Sequence, residues 1–129
     1  MLKKTIAYTD YNGVERKEDF YFNLNKAEIT KMELSHAGGL SEMIKRVVNT
    51  GDNAQIVKIF QDLILMAYGE KSDDGKRFVK SKEIADAFSQ TEAYSELFME
   101  LAFDADKAAE FVNGIIPADV AKQLQNQTN

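Results

Sequence analysis

Asn12-Gly13 constrains this chain more than any other pair of residues. Both tolerate the positive φ angles of tight hairpin turns, so strands are expected on either side. Apolar residues alternate on both flanks, Ile6 and Tyr8 before the turn and Phe20, Phe22 and Leu24 after it. The parity of these two sets restricts the turn further. A two-residue loop would pair Thr5 with Phe20 and Ile6 with Asp19, which puts the apolar sets on opposite faces of the ribbon. One more residue in the loop brings Ile6 onto the face of Phe20 and Phe22. The expectation is therefore a three- or five-residue loop, or a bulge, across residues 11–14. A two-stranded ribbon is marginal alone, so its apolar face needs helices or another chain's strand, and its edges are open for pairing. A hairpin that covers its own helical core is the preferred reading.

The hairpin hands directly into a helix. Asn25 and Glu28 have the spacing of a capping box, and Leu24 and Ile29 that of a hydrophobic staple. Ile29 and Met32 lead toward His36, and Gly38-Gly39 breaks the chain. Ser41 is placed to cap a second helix with a stripe of Met43, Ile44, Val47 and Val48, ending at Thr50-Gly51. Thr50 or Asp52 starts a third, carrying Ile56, Ile59, Phe60, Leu63, Ile64 and Ala67 and stopping near Gly69. This helix is apolar around much of its circumference and is expected at the centre of the core. Residues 70–80 read as a charged surface loop with a turn at Asp73-Asp74-Gly75, followed by a short extended segment at Phe78 and Val79. Ser81 opens the next helix, with Ile84, Ala85 and Phe88. Ser89 and Glu92 suggest another capping box before Tyr94, Leu97, Phe98, Leu101 and Ala102. Asp104 caps a last helix with Ala108, Phe111 and Val112, closed by Gly114. The fold class is α+β: an N-terminal β-hairpin followed by a mostly helical part of five to six short helices. One globular domain is expected over residues 1–117, with the hairpin at 3–24 and the helical part at 25–117. Residues 118–129 form a polar tail expected to fray or be disordered.

Composition removes several function classes. The 129 residues are 44% hydrophobic, enough for a packed core without metals or disulfides. There is no cysteine, hence no thiolate nucleophile and no cysteine metal site, which suits an intracellular protein. No apolar run reaches membrane-spanning length, and the longest, residues 56–67, is broken by Lys58, Gln61 and Asp62. Net charge is −5, and the basic residues are scattered, Lys3 and Lys4, Arg16, Lys45 and Arg46, Lys76 and Arg77. Binding duplex nucleic acid requires many phosphates to be neutralised together, so it is not expected. His36 is the only histidine and sits beside the Gly38-Gly39 break, a place that suits a structural role at a helix end. No Ser or Asp partner lies in a nucleophile motif. Asp73 and Asp74 lack the oxygen spacing of a calcium loop, and residues 69–76 lack the Gly-Lys-Ser/Thr ending of a phosphate loop. No catalytic residue, cofactor or metal site is read. Met32, Met43, Met66 and Met99 are flexible apolar side chains that suit either the core or an adaptable groove, with the core preferred. Met43 and Val47 are the better candidates for exposure.

The assembled pattern resembles the tail assembly chaperones of long-tailed phages of Gram-positive hosts. The resemblance is carried by Tyr8-Thr9-Asp10-Tyr11-Asn12-Gly13, by Phe20-Tyr21-Phe22-Asn23-Leu24-Asn25-Lys26, by Tyr68-Gly69-Glu70-Lys71-Ser72 with Asp74-Gly75, and by the stretch from Phe103-Asp104 to Ile116-Pro117. It spans nearly the whole chain and contains no catalytic signature. It implies a non-enzymatic binding protein without cofactor, acting in the host cytoplasm and absent from the mature virion. The implied client is the tape measure protein, long, helical and aggregation-prone, held soluble until tail-tube subunits polymerise around it. The major tail protein is a further partner to consider, and self-association is open. In many such phages a ribosomal frameshift also gives an extended form. The candidate client surfaces are the hairpin edge and the stripe Met43, Ile44 and Val47. The alternative is a small structural tail or head-completion protein of the virion.

Overall fold

The first turn follows the parity of its flanking strands. In the computed structural model, which describes residues 1–35 and 53–117, β1 (Leu2–Thr9) pairs antiparallel with β2 (Glu15–Phe22) in one continuous register from Leu2↔Phe22 to Thr9↔Glu15. Five residues separate the last pair. Asp10 N–H donates to the Val14 carbonyl at 2.9 Å and Gly13 N–H to the Asp10 carbonyl at 3.0 Å. Gly13 takes φ +80°, which favours glycine there. The Asp10 carboxylate closes the loop, accepting from Asn12 N–H, Val14 N–H and Arg16 Nε–H. Ile6, Tyr8, Phe20 and Phe22 consequently share one face. The other face carries Lys3, Thr5, Ala7, Thr9, Glu15, Lys17 and Asp19, all exposed. This is the alternation of an antiparallel sheet covered on one side.

The sheet continues where the sequence suggested a loop. The helix α2 (Asn53–Ala67) ends directly in β3 (Tyr68–Lys71), which pairs antiparallel with β2 through Tyr21↔Gly69 and Phe22↔Tyr68. A turn at residues 72–77, with Gly75 at φ +74°, returns the chain as β4 (Phe78–Val79). The strand order is β1-β2-β3-β4. Residues 70–80 are thus a small hairpin, and β2 is covered at one end of its second edge. The expected extended segment at Phe78 and Val79 and the turn at Asp73-Asp74-Gly75 are both present.

Five helices lie among the described residues. The helix α1 (Lys26–Ser35) starts with the expected capping box: Glu28 N–H donates to Asn25 Oδ1 at 2.8 Å, and Asn25 N–H to Glu28 Oε1 at 3.0 Å. The second Glu28 oxygen takes Lys80 Nζ at 2.6 Å, and the same ammonium donates to the Asn23 carbonyl. The sheet and the helix are tied at one point. Next come α3 (Lys82–Ser89), capped by Ser81, α4 (Glu92–Phe103) and α5 (Ala105–Ile115), capped by Asp104.

Two expectations at helix ends are corrected. The cap of α4 is Thr91 and not Ser89. Ser89 still belongs to α3 and donates its hydroxyl to the Asp86 carbonyl, while Thr91 Oγ1 accepts from Tyr94 N–H at 3.2 Å and donates to the Phe88 carbonyl at 2.7 Å. Replacing Thr91 by Ala is therefore expected to cost about 1 kcal/mol. Ser89→Ala should stay within about 0.5 kcal/mol. Chemical denaturation of the two variants side by side checks the assignment, and equal losses would contradict it. Gly114, in turn, does not close α5, which runs on to Ile115. It gives room instead: a Cβ there would stand 2.9 Å from Leu2 Cδ1.

The core forms between the covered sheet face and the helices. Phe60, Leu63, Ile64 and Ala67 of α2 are buried, as the apolar circumference of that helix predicts. They join Ala93, Leu97 and Leu101 of α4 with Phe111, Val112 and Ile115 of α5. Leu24 and Ile29, the expected staple pair, are buried in the same cluster. Aromatic rings bridge sheet and helices: Tyr68 stacks on Phe88 with centroids 4.1 Å apart, and Phe22 sets its ring edgewise to both Phe88 and Phe111. Such pairs contribute about 0.5–1.5 kcal/mol each beyond the area they bury.

Candidate binding surface

The helix α4 runs antiparallel along β1. At its first turn Glu92 shares a cleft with the Tyr11 phenol of the hairpin loop, and the pull of that carboxylate on the phenol proton, with some desolvation, raises the phenol above its ordinary range. Toward its other end Glu100 meets Lys4 of β1 at 3.1 Å and Lys107 of α5 at 2.8 Å. Burial pushes the Glu100 carboxyl up, but hydrogen bonds from Lys107 and Lys4 outweigh it and hold the group below its ordinary value of 4.5. A carboxylate depressed in the folded state stabilises fully above its unfolded pKa, and that contribution is lost as pH falls through the folded one. Glu100→Gln is thus expected to lower the thermal midpoint at neutral pH, with the gap from the parent protein closing as the pH falls below the ordinary carboxyl value of 4.5 and through the depressed folded one. A gap unchanged across that range would show that the triad carries no charge-dependent stability.

Ala93, Leu97 and Leu101 recur every four residues and take α4 into the core. Away from that line, also four apart, Met99 is 50% exposed and Phe103 79% exposed. Tyr11, 76% exposed, borders a cleft of about 430 Å³ whose other walls include Gln61 of α2 and Tyr94, Ser95 and Phe98 of α4. The surrounding charge is mainly negative: of the cations nearby, Lys4 and Lys107 are both engaged by Glu100 and Arg16 by Asp10, while Lys17 shares a cleft with Glu96. Residues 92–115 hold six carboxylates against the single Lys107, and that lysine is engaged by Glu100.

A second feature is the outer edge of β1, which no strand pairs among the described residues. The Asp10–Val14 bond sets even-numbered residues of β1 toward β2, so Lys3, Thr5, Ala7 and Thr9 present their N–H and C=O groups outward.

Of the surfaces expected from sequence, the hairpin edge falls within the described residues. Met43, Ile44 and Val47 lie outside them, as do His36, Gly38-Gly39, Ser41 and residues 118–129. Asp74 serves its turn: its carboxylate accepts from Lys76 N–H and the Ser72 hydroxyl, which together hold it below the ordinary range. Among the described residues no polar or charged side chain is fully buried, and no cluster of three or more His, Cys, Asp or Glu has the arrangement of a metal site. No helix among them is long and apolar enough to cross a membrane. Met99 and Phe103 were not separable from core by residue type. Their offset from the 93/97/101 line was the available signal.

Met99 and Phe103 hold apolar side chains out to solvent beside Glu96, a surface of the kind that contact with a partner uses. The family model for phage tail assembly chaperones matches residues 1–129, and the chain belongs to that non-enzymatic family. No curated protein and no solved structure is significantly similar to it.

Proposed function

We propose that the chain binds the tape measure protein of a long-tailed phage of a Gram-positive host. It keeps that client soluble in the host cytoplasm until tail-tube subunits assemble around it, and it does not remain in the mature virion. The observation that carries this reading is the match to the chaperone family over residues 1–129. The exposed Met99 and Phe103 and the open β1 edge are surfaces of the kind such binding requires. The stripe Met43, Ile44 and Val47 is proposed as one client contact, carried by residues 1–117 acting as a single domain. The major tail protein is the next partner to test.

Co-expression with the tape measure protein checks this. The expected result is a soluble complex that copurifies, with the chain missing from purified particles. A client that stays insoluble, with the chain present in particles, would move the assignment to a structural tail or head-completion protein. Replacing both Met43 and Val47 by Asp should reduce the soluble client, and undiminished solubility from a folded variant would remove that stripe from the contact.

A further inference from the structure

We propose that the outer flank of α4 seats a basic amphipathic helix of the client, with Met99 and Phe103 as the apolar anchors and Glu92 and Glu96 as the counter-charges. The inference rests on the chaperone reading above and assigns it a surface. Met99 and Phe103 lie one helical turn apart, which gives a narrow apolar ridge of the kind that packs into the groove of another helix. From Glu92 to Phe103 the flank runs for about 16 Å at 1.5 Å per residue, matching about three turns of a partner helix.

The chemistry selects among occupants. The backbone of α4 is bonded internally, so an extended strand laid here gains no ladder hydrogen bonds, whereas a helix brings its own. In a parallel pair of this flank Glu92 and Glu96 would oppose their equivalents, and in an antiparallel pair they would oppose Phe103 and Met99, so neither arrangement sets charge against opposite charge. Glu96 is exposed, and Asp106 opens the next helix three residues beyond Phe103, also exposed. The ridge is thus flanked by negative charge, and lysines or arginines on the polar face of the incoming helix complement it.

The test uses the full chain co-expressed with the tape measure protein, comparing the parent with Met99→Ser/Phe103→Ser and with Glu92→Gln/Glu96→Gln. The serine pair sits on exposed positions, so its thermal midpoint should match the parent's. Captured client is expected to fall about tenfold or more, the effect of removing central anchors. The glutamine pair should weaken capture at about 0.1 M salt and differ little from the parent at about 1 M, where charges are screened within about 3 Å. If the parent captures the client and the folded serine pair captures it equally well, this surface is overturned while the chaperone reading stands. If the parent captures nothing, both fail together. If the parent sediments as an oligomer that the serine pair converts to monomer, the flank joins copies of this chain and the client assignment is overturned.

Discussion

Phe22→Ala is expected to remove about 3–5 kcal/mol of unfolding free energy. Phe22 is fully buried, at 0% exposure, and closes the covered face of the sheet where three other rings converge. Its centroid lies 5.4 Å from Phe111, 5.6 Å from Tyr68 and 5.8 Å from Phe88. These partners come from α5, β3 and α3, so the cavity left by alanine is bounded by three elements that cannot all move in at once. Its backbone is equally committed, pairing with Leu2 on one side and Tyr68 on the other. Urea denaturation measures the loss as a lower midpoint at unchanged slope. Native domains hold only about 5–15 kcal/mol, so the variant is expected to be poorly folded at 37 °C. Phe22→Leu, which refills most of the space, should recover a large part of the loss. Phe103→Ala removes the same side chain from an exposed site and is expected within about 0.5 kcal/mol. A similar loss at both positions would contradict the assignment of Phe22 to the core.

Gly69→Val ranks second. A Cβ at this position would stand 2.7 Å from Phe78 Cε2 and 2.8 Å from the Val79 carbonyl oxygen. The ring can turn away, but the carbonyl is backbone and moves only if β4 moves. Gly69 also pairs with Tyr21, so retreat in the other direction breaks the β2–β3 ladder. The expected loss is at the top of the usual overpacking range, about 3 kcal/mol. It should come with raised hydrogen exchange at Arg77, whose carbonyl accepts from Ser72 N–H and whose own N–H donates to Ser72 Oγ across the same hairpin. Gly75→Ala, at φ +74° with nothing within 4 Å of its Cβ, should cost only the conformational penalty of about 1–2 kcal/mol. Equal effects at Gly69 and Gly75 would argue that contact with β4 is not what requires glycine at 69.

The parts of this fold that were legible in sequence are those fixed by short-range rules. The odd loop follows from Ile6 and Phe20 needing one face, and the Asn25–Glu28 box from a three-residue spacing that brings both groups into reach. The cap at Ser89 misled because Ser89 and Thr91 are both plausible acceptors. Which one serves depends on where α3 ends, a matter of how Phe88 packs. Gly114 was read as a stop because glycine is common there, whereas its cause is Leu2, over a hundred residues away in the chain. The strand at Tyr68 was hidden for a related reason: four residues, two of them charged, become a strand only because β2 offers an edge. The acidic flank of α4 was partly legible, since its charges stand in the sequence. That Met99 and Phe103 face outward required knowing which side of α4 the sheet occupies.

The contact between Leu2 and Gly114 orders events during synthesis. The N-terminal strand leaves the ribosome first, yet the helix that packs against it emerges more than a hundred residues later. The Leu24 amide waits likewise for the Ile115 carbonyl, 2.6 Å away in the finished fold. Until then the Leu2 end of the hairpin and the Phe111 side of Phe22 lack the cover that α5 gives, and closure there is a late, non-local step. A stop codon placed before residue 115 would therefore yield a chain in which β1 keeps β2 and α4 but Leu2, Phe22 and the Leu24 amide lose their α5 partners, so tolerance to truncation should end abruptly at α5 and not fade gradually toward it.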